Sequence, residues 1–308
     1  LRDGVVSPAT GATCGAAPAG TLLLEFRAVA RLANRSDLEA LVLRSWRALE
    51  RAQGRVRGLA PSKLKMTATG CAAQFVFGNQ SKLTVGSGVD SYYEYLLKGD
   101  LQVKGSLRAW RAAVRAVDDH LVQVRGPTTF MADLEQNKTL GTRATHLACF
   151  WPGLRALEAL VDPANGKLAL AEALLDACVA AYDATATGLA PEAWHVNADG
   201  SIRLGANLRH LLRPETIESL FWMYRATRKQ KWLDAAVRLW HAFRTYAPID
   251  GGGLATLSDV RDARSPRVDR MDSWVFSETL KYFYLIFDDA DNGTLLPLTD
   301  WVLTTEAH

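Results

Sequence analysis

The 308-residue chain has no run of about eighteen apolar residues, so it offers no membrane-spanning helix. It has no basic stripe either. Its 36 basic residues are scattered among 33 acidic ones for a formal charge of +3, and no nucleic-acid-binding motif emerges, so a nucleic-acid partner is not expected. Neither an EF-hand loop nor a His/Cys cluster with zinc spacing occurs. No linker rich in Pro, Gly or Ser divides the chain, which points to one domain over 1–308. No signal peptide is visible, but a chain that opens on Leu1 reads as part of something longer, and that absence carries no information about compartment.

What is present is a periodic helical pattern in a chain that is 48% hydrophobic. The most informative stretch is His210 to Ser219, where Arg213, Glu215 and Glu218 gather at the start of a helix. Pro214 suits the first helical position, and Ile217, Leu220, Phe221 and Tyr224 mark its apolar face. Acidic residues in a first turn also simply complement the helix dipole, so this stretch alone leaves both readings open. Comparable polar-then-aromatic openings recur at Glu25, Asp90, His146 and Glu278, and the steps along the series are 65, 56, 69 and 63 residues. Between them lie amphipathic stretches at Asp37 to Gln53, Ser106 to Val122, Leu168 to Tyr182 and Trp232 to Tyr246. The alternation predicts inner and outer helices, an all-α ring or solenoid of αα-hairpins with the polar openings at its centre. Ser36 and Glu39 have the spacing of a capping box, and Trp274 to Phe287 is apolar nearly all round, which predicts a buried helix. Cys149 and Cys178, in an inner helix and the next outer one, suit either a bridge or two buried thiols; Cys14 and Cys71 have no assignable partner.

The chain resembles the glycoside hydrolase family 47 α-mannosidases, the calcium-dependent class I α-1,2-mannosidases of the secretory pathway. The resemblance rests on Gly-Thr-Leu-Leu-Leu-Glu-Phe (20–26), Asp-Ser-Tyr-Tyr-Glu-Tyr-Leu-Leu-Lys (90–98), His-Leu-Ala-Cys-Phe (146–150), Leu-Arg-Pro-Glu-Thr-Ile-Glu-Ser (212–219), Ser-Glu-Thr-Leu-Lys-Tyr (277–282) and Thr-Glu-Ala-His (305–308). It implies an (α/α)7 barrel and removal of terminal α-1,2-linked mannose from high-mannose N-glycans with inversion. Inversion needs an acid and a base roughly 6.5–9.5 Å apart, with a water between the base and the sugar. By the resemblance Glu215 is the base and Asp90 a further catalytic carboxylate, the residue-level alternative for Asp90 being a helix cap. Arg213, His146, Glu218, Glu278, Trp274, Glu25 and Glu306 are expected in the sugar pocket. Arg213 beside Glu215 should favour the ionised carboxylate. Thr305 is the expected calcium ligand, through its hydroxyl and carbonyl oxygens, and Cys149 with Cys178 the structural disulfide.

The family's general acid lies upstream of Glu25, where this chain has not begun, so about two N-terminal hairpins are expected to be missing and the segment by itself is expected to be inactive. Trp274 stands where an aromatic platform, usually Phe, stacks on the sugar. Gly88 stands where family members differ in side-chain size, which suggests an open pocket. The N-terminal half leans to EDEM-type proteins, which mark misfolded glycoproteins for degradation; Cys149, Cys178 and 187–192 lean to the processing enzymes, and the latter are favoured. A catalytically dead glycan-binding relative is the alternative from another class. Either branch implies the endoplasmic reticulum or Golgi lumen, with a membrane anchor outside this segment and, for an EDEM-type protein, an oxidoreductase partner. Four Asn-x-Ser/Thr sites, at Asn34, Asn79, Asn137 and Asn292, are compatible with that compartment.

Overall fold

A computed structural model describes residues 13–51, 56–69, 72–77, 82–135, 139–291, 297 and 300–304. The chain packs as two compact units, one made of 1–121 and 133–141 and the other of 122–132 and 142–308. Among the described residues, no helix is long and apolar enough to cross a membrane.

The first unit runs β1 (Thr13–Cys14), α1 (Ala16–Gly20), α2 (Leu23–Leu32), α3 (Ser36–Arg51), β2 (Leu64–Thr69), β3 (Ala72–Phe77), α4 (Asp90–Val103) and α5 (Arg108–His120). Its strands form one antiparallel sheet in the order β1-β2-β3. Helix α4 is the inner element, buried without interruption from Tyr92 to Gly99. That burial includes a charged pair, Lys98 donating to Glu94 at 2.5 Å one turn away. Breaking this buried pair by removing one partner would cost about 3–5 kcal/mol. Helix α5 is the outer type: Trp110, Ala113, Val114, Ala116 and Val117 face the core, and the charged residues face out.

Helix α3 takes in Ser36 as its first residue, one place inside the cap position that a capping box requires, and the Glu39 carboxylate stands 3.6 Å from Arg27. Asn34, in the turn before it, is exposed in the left-handed region at φ 52; Asn79, Asn137 and Asn292, like Cys71, lie outside the described residues. Gly88 has a different explanation from an open pocket. Its φ is +90, and a Cβ there would come within 2.8 Å of the Ser62 carbonyl oxygen, so the backbone itself requires glycine.

The second unit contains a hairpin of β4 (Val122–Arg125) and β5 (Thr128–Met131), then β6 (Arg143–Thr145), a 3₁₀ turn over His146–Phe150, α6 (Trp151–Val161), α7 (Leu168–Asp183), β7 (Ala193–Val196), β8 (Ile202–Leu204), α8 (Glu215–Thr227), α9 (Gln230–Tyr246), β9 (Thr256–Leu257), β10 (Arg267–Val268), a π-helical turn over Val275–Leu280 and α10 (Lys281–Ala290). Strands β6, β7 and β8 form an antiparallel sheet in that order. Helix α8 is its core, with every residue from Glu215 to Tyr224 buried. It meets α6 at close range: the Gly153 N–H donates to Ser219 Oγ at 2.8 Å, and a Cβ on Gly153 would fall 2.6 Å from the Ser219 Cα. Trp151, Trp194, Trp222 and Trp232 are each almost wholly buried here, and each such burial contributes on the order of 2–3 kcal/mol.

The short strands were not visible as a separate signal; they lie in the connections between helices. The apolar stretch from Trp274 to Phe287 corrects the expectation of full burial, because Phe276 is 62% and Tyr284 61% exposed. An apolar sequence does not oblige every face to be covered, and the buried face is carried by Val275, Thr279, Tyr282, Phe283 and Ile286.

Candidate functional site

The stretch His210 to Glu215 is fixed link by link. His210 exchanges two backbone hydrogen bonds with Leu257, at 3.0 and 3.1 Å. The Leu211 carbonyl accepts the indole N–H of Trp274 at 3.1 Å. Leu212, fully buried, is held at φ +57, where a branched side chain is strained by roughly 1–2 kcal/mol. Its carbonyl accepts the Thr279 hydroxyl at 2.7 Å. Pro214 then occupies the cap position, one place before the helix, and Glu215 is the first residue of α8. The strained turn carries Arg213 and Glu215 into one polar cluster.

In that cluster the Glu215 carboxylate is bonded through Oε2 to Nδ1 of His146 at 2.7 Å, and its Oε1 stands 3.8 Å from Nη1 of Arg213. His146 opens the 3₁₀ turn, and its Nε2 lies 2.7 Å from the Tyr182 hydroxyl on α7. The Arg213 Nε donates to both oxygens of Glu192 at 2.8 Å, and its guanidinium lies 5.1 Å from the centre of the Trp274 ring. The backbone N–H of His146 donates to the Glu192 carbonyl at 3.1 Å, tying those two supports together. Burial alone would push the Glu215 carboxyl up, but the hydrogen bond from His146 and the Arg213 guanidinium act the other way, and the group titrates below its ordinary value. The carboxylate is therefore ionised at neutral pH. A buried, ionised carboxylate is equipped to accept a proton from water.

Around this centre, Tyr282 donates its hydroxyl proton to Oε1 of Glu218 at 2.9 Å. Glu278 is half-buried within the π-helical turn, a distortion often found at functional positions. Lys281 donates to the Thr304 carbonyl at 2.6 Å, anchoring the chain immediately before Thr305. Thr305 and Glu306 lie outside the described residues. The first unit holds the remaining two predicted residues. Tyr95 donates to Glu25 at 2.5 Å, and Asp90, the first residue of α4, accepts the Ser91 N–H at 3.0 Å. Cys149 and Cys178 form a disulfide with Cα atoms 6.0 Å apart. Three participants were not among the expected site residues: Glu192 closes the 187–192 segment, Tyr182 reads as the last apolar residue of an outer helix, and His210 opens the stretch that carries Arg213 and Glu215.

The sequence profile of Glycosyl hydrolase family 47 matches residues 2–308. The chain belongs to glycosyl hydrolase family 47. Among this family's proteins it is 32% identical over 302 residues to the human endoplasmic reticulum mannosyl-oligosaccharide 1,2-alpha-mannosidase, covering 94% of the chain and 42% of that protein. It is 36% identical over 262 residues to the mannosyl-oligosaccharide 1,2-alpha-mannosidase of Candida albicans, covering 73% of the chain and 46% of that protein. The chain thus spans less than half the length of these two relatives. In structure it resembles the alpha-1,2-mannosidase from Trichoderma reesei, with a TM-score of 0.79 at 24% identity, over 91% of the chain and 61% of that protein. It also resembles a D-mannose isomerase, with a TM-score of 0.67 at 16% identity, over 94% of the chain and 74% of that protein. The family's (α/α)7 barrel class and the all-α reading of the sequence are borne out.

Proposed function

We propose that the whole protein that carries this chain removes terminal α-1,2-linked mannose from high-mannose N-glycans in the lumen of the secretory pathway, as a processing-type enzyme that inverts the anomeric carbon. The observation that carries this reading is the buried, ionised Glu215 held between His146 and Arg213, in a family whose relatives are named mannosyl-oligosaccharide 1,2-alpha-mannosidases. Glu215 acts as general base and draws a proton from the attacking water. Its Oε2 is already engaged by His146, so Oε1 takes that proton. Arg213, set over Trp274 and braced by Glu192, orients the sugar, with Trp274 offering its ring edge and free face for stacking. Asp90 is the second catalytic carboxylate, and Glu25, His146, Glu218, Glu278 and Glu306 contact sugar hydroxyls or the waters beside them. The general acid is left unassigned.

Calcium fits the donor chemistry. Among the described residues, no group of three or more His, Cys, Asp or Glu is arranged to hold an ion directly. A site built on the hydroxyl and carbonyl oxygens of Thr305 with waters, supported by Glu218 and Glu278, uses the hard oxygen donors that calcium prefers, and Lys281 fixes the backbone one residue earlier. Calcium bound there would supply positive charge to sugar hydroxyls. The test is mannose release from a high-mannose N-glycan by the whole protein that carries this chain, with calcium present and then chelated. Calcium-dependent release with first-formed β-mannose supports the reading, and release of α-mannose first contradicts the inverting mechanism.

A further inference from the structure

The base is backed by a second layer. His146 is bonded on both ring nitrogens, to Glu215 through Nδ1 and to Tyr182 through Nε2, each at 2.7 Å. Both partners are rigidly placed. Tyr182 is buried on α7, and one turn before it Cys178 is joined to Cys149, which lies three residues after His146. The disulfide thus clamps the two elements that carry the His146–Tyr182 pair, one turn from each residue. His210 closes the cluster, its ring 6.0 Å from that of His146 and 6.1 Å from that of Tyr182, and its Nδ1–H donates to the Ala190 carbonyl at 2.8 Å.

We propose that Tyr182 is a positioning residue for Glu215: its hydroxyl donates to Nε2 of His146, which keeps the imidazole neutral with its one proton on Nδ1, aimed at Glu215 Oε2. The proton assignment follows from the partners. An ionised carboxylate only accepts, so Nδ1 must carry a proton. Nε2 is then either bare, accepting from the phenol, or protonated, donating to it. Burial pushes the Tyr182 phenol above its ordinary value, so the phenol keeps its proton, which it can place on Nε2 or on Thr216, to which its hydroxyl is also bonded. The groups that face His146 are Glu215 from α8, Tyr182 from α7, and His210 and Arg213 from the loop before α8, with Glu192 behind Arg213. Of these, only Tyr182 bears on Nε2 by a direct bond. A neutral imidazole steadies the carboxylate without quenching it. A full imidazolium would hold the carboxylate more strongly and make it a weaker base.

This role rests on Glu215 being the base, so the experiment reads the imidazole directly as well as the rate. Nitrogen-15 spectra of the histidine rings, with the His146 signals identified by their loss in His146→Gln, should show a protonated Nδ1 and a bare Nε2 at neutral pH. In Tyr182→Phe, Nε2 should gain a proton, and kcat for mannose release should fall by roughly 10-fold or more with little change in KM. A wild-type Nε2 that carries a proton overturns the proposal even if the variant does not fold. So does a folded Tyr182→Phe in which Nε2 stays bare. If the whole protein releases no mannose, the functional reading fails, while the spectra still decide the placement of the proton.

Discussion

Arg213 is bound more closely to Glu192 than to Glu215, at 2.8 Å against 3.8 Å. The arginine is therefore braced from behind, and its charge acts on Glu215 at a distance set by that brace. Glu192→Ala should release the guanidinium, leave a largely buried charge short of a partner and cost about 1–3 kcal/mol in urea unfolding. Glu192→Gln, which keeps one acceptor oxygen, should cost less. Equal losses in the two variants would mean that the brace is not electrostatic.

Removing the charge that faces Glu215 should move its titration upward. Burial opposes ionisation there, and Arg213 is one of the groups that overcome it. In Arg213→Gln the carboxyl pKa should rise, and the acidic limb of the pH–rate profile should shift to higher pH. The sign for stability follows. A folded-state value below the unfolded one adds stability that is present above the unfolded value and is lost as pH falls through the folded one. The variant should lose part of that contribution. An acidic limb that stays in place in Arg213→Gln would assign it to another group.

His210 should give the fold a pH dependence of its own. Burial pushes it from 6.5 down to about 3, so it stays neutral in the fold while the unfolded chain protonates it. Stability is complete above about pH 6.5 and declines toward about 3, with a slope of up to ~1.4 kcal/mol per pH unit from this one group. Urea unfolding of His210→Asn across this range should show a flatter pH dependence than wild type. An unchanged slope would place the titration elsewhere.

Breaking the disulfide should be felt twice. Cys149 and Cys178 are 29 residues apart, and opening that loop in Cys149→Ser/Cys178→Ser should cost about 3 kcal/mol in reversible unfolding. Because the bridge spans the elements that carry His146 and Tyr182, kcat should also fall at temperatures where the variant remains folded. Unfolding that is unchanged in the double variant would remove the structural role.

Much of this was written in the helical periodicity. The outer helices α3, α5, α7 and α9 fall close to the amphipathic stretches that mark them, because a half-solvated helix must separate its polar and apolar faces. The openings at Asp90, His146 and Glu215 each begin a helical element. What stayed hidden depends on contacts distant in sequence. Glu192 meets Arg213 across 21 residues, and Tyr182 meets His146 across 36, with no local spacing to announce either. The exposure of Phe276 and Tyr284 was misread because composition reports how apolar a helix is and not which of its faces is covered. Gly88 also serves the backbone, its lack of a side chain fitting the turn against Ser62.

The central claim is that Glu215 is the base for hydrolysis of α-1,2-linked mannose. The most direct measurement compares mannose release from a high-mannose N-glycan, with calcium present, by the whole protein that carries this chain and by its Glu215→Gln variant. Glutamine keeps the shape and can still accept from His146, but it takes no proton from water. The account predicts release by wild type and a loss of roughly 100-fold or more in kcat for the variant, with folding unchanged. Release at the wild-type rate by Glu215→Gln would contradict it.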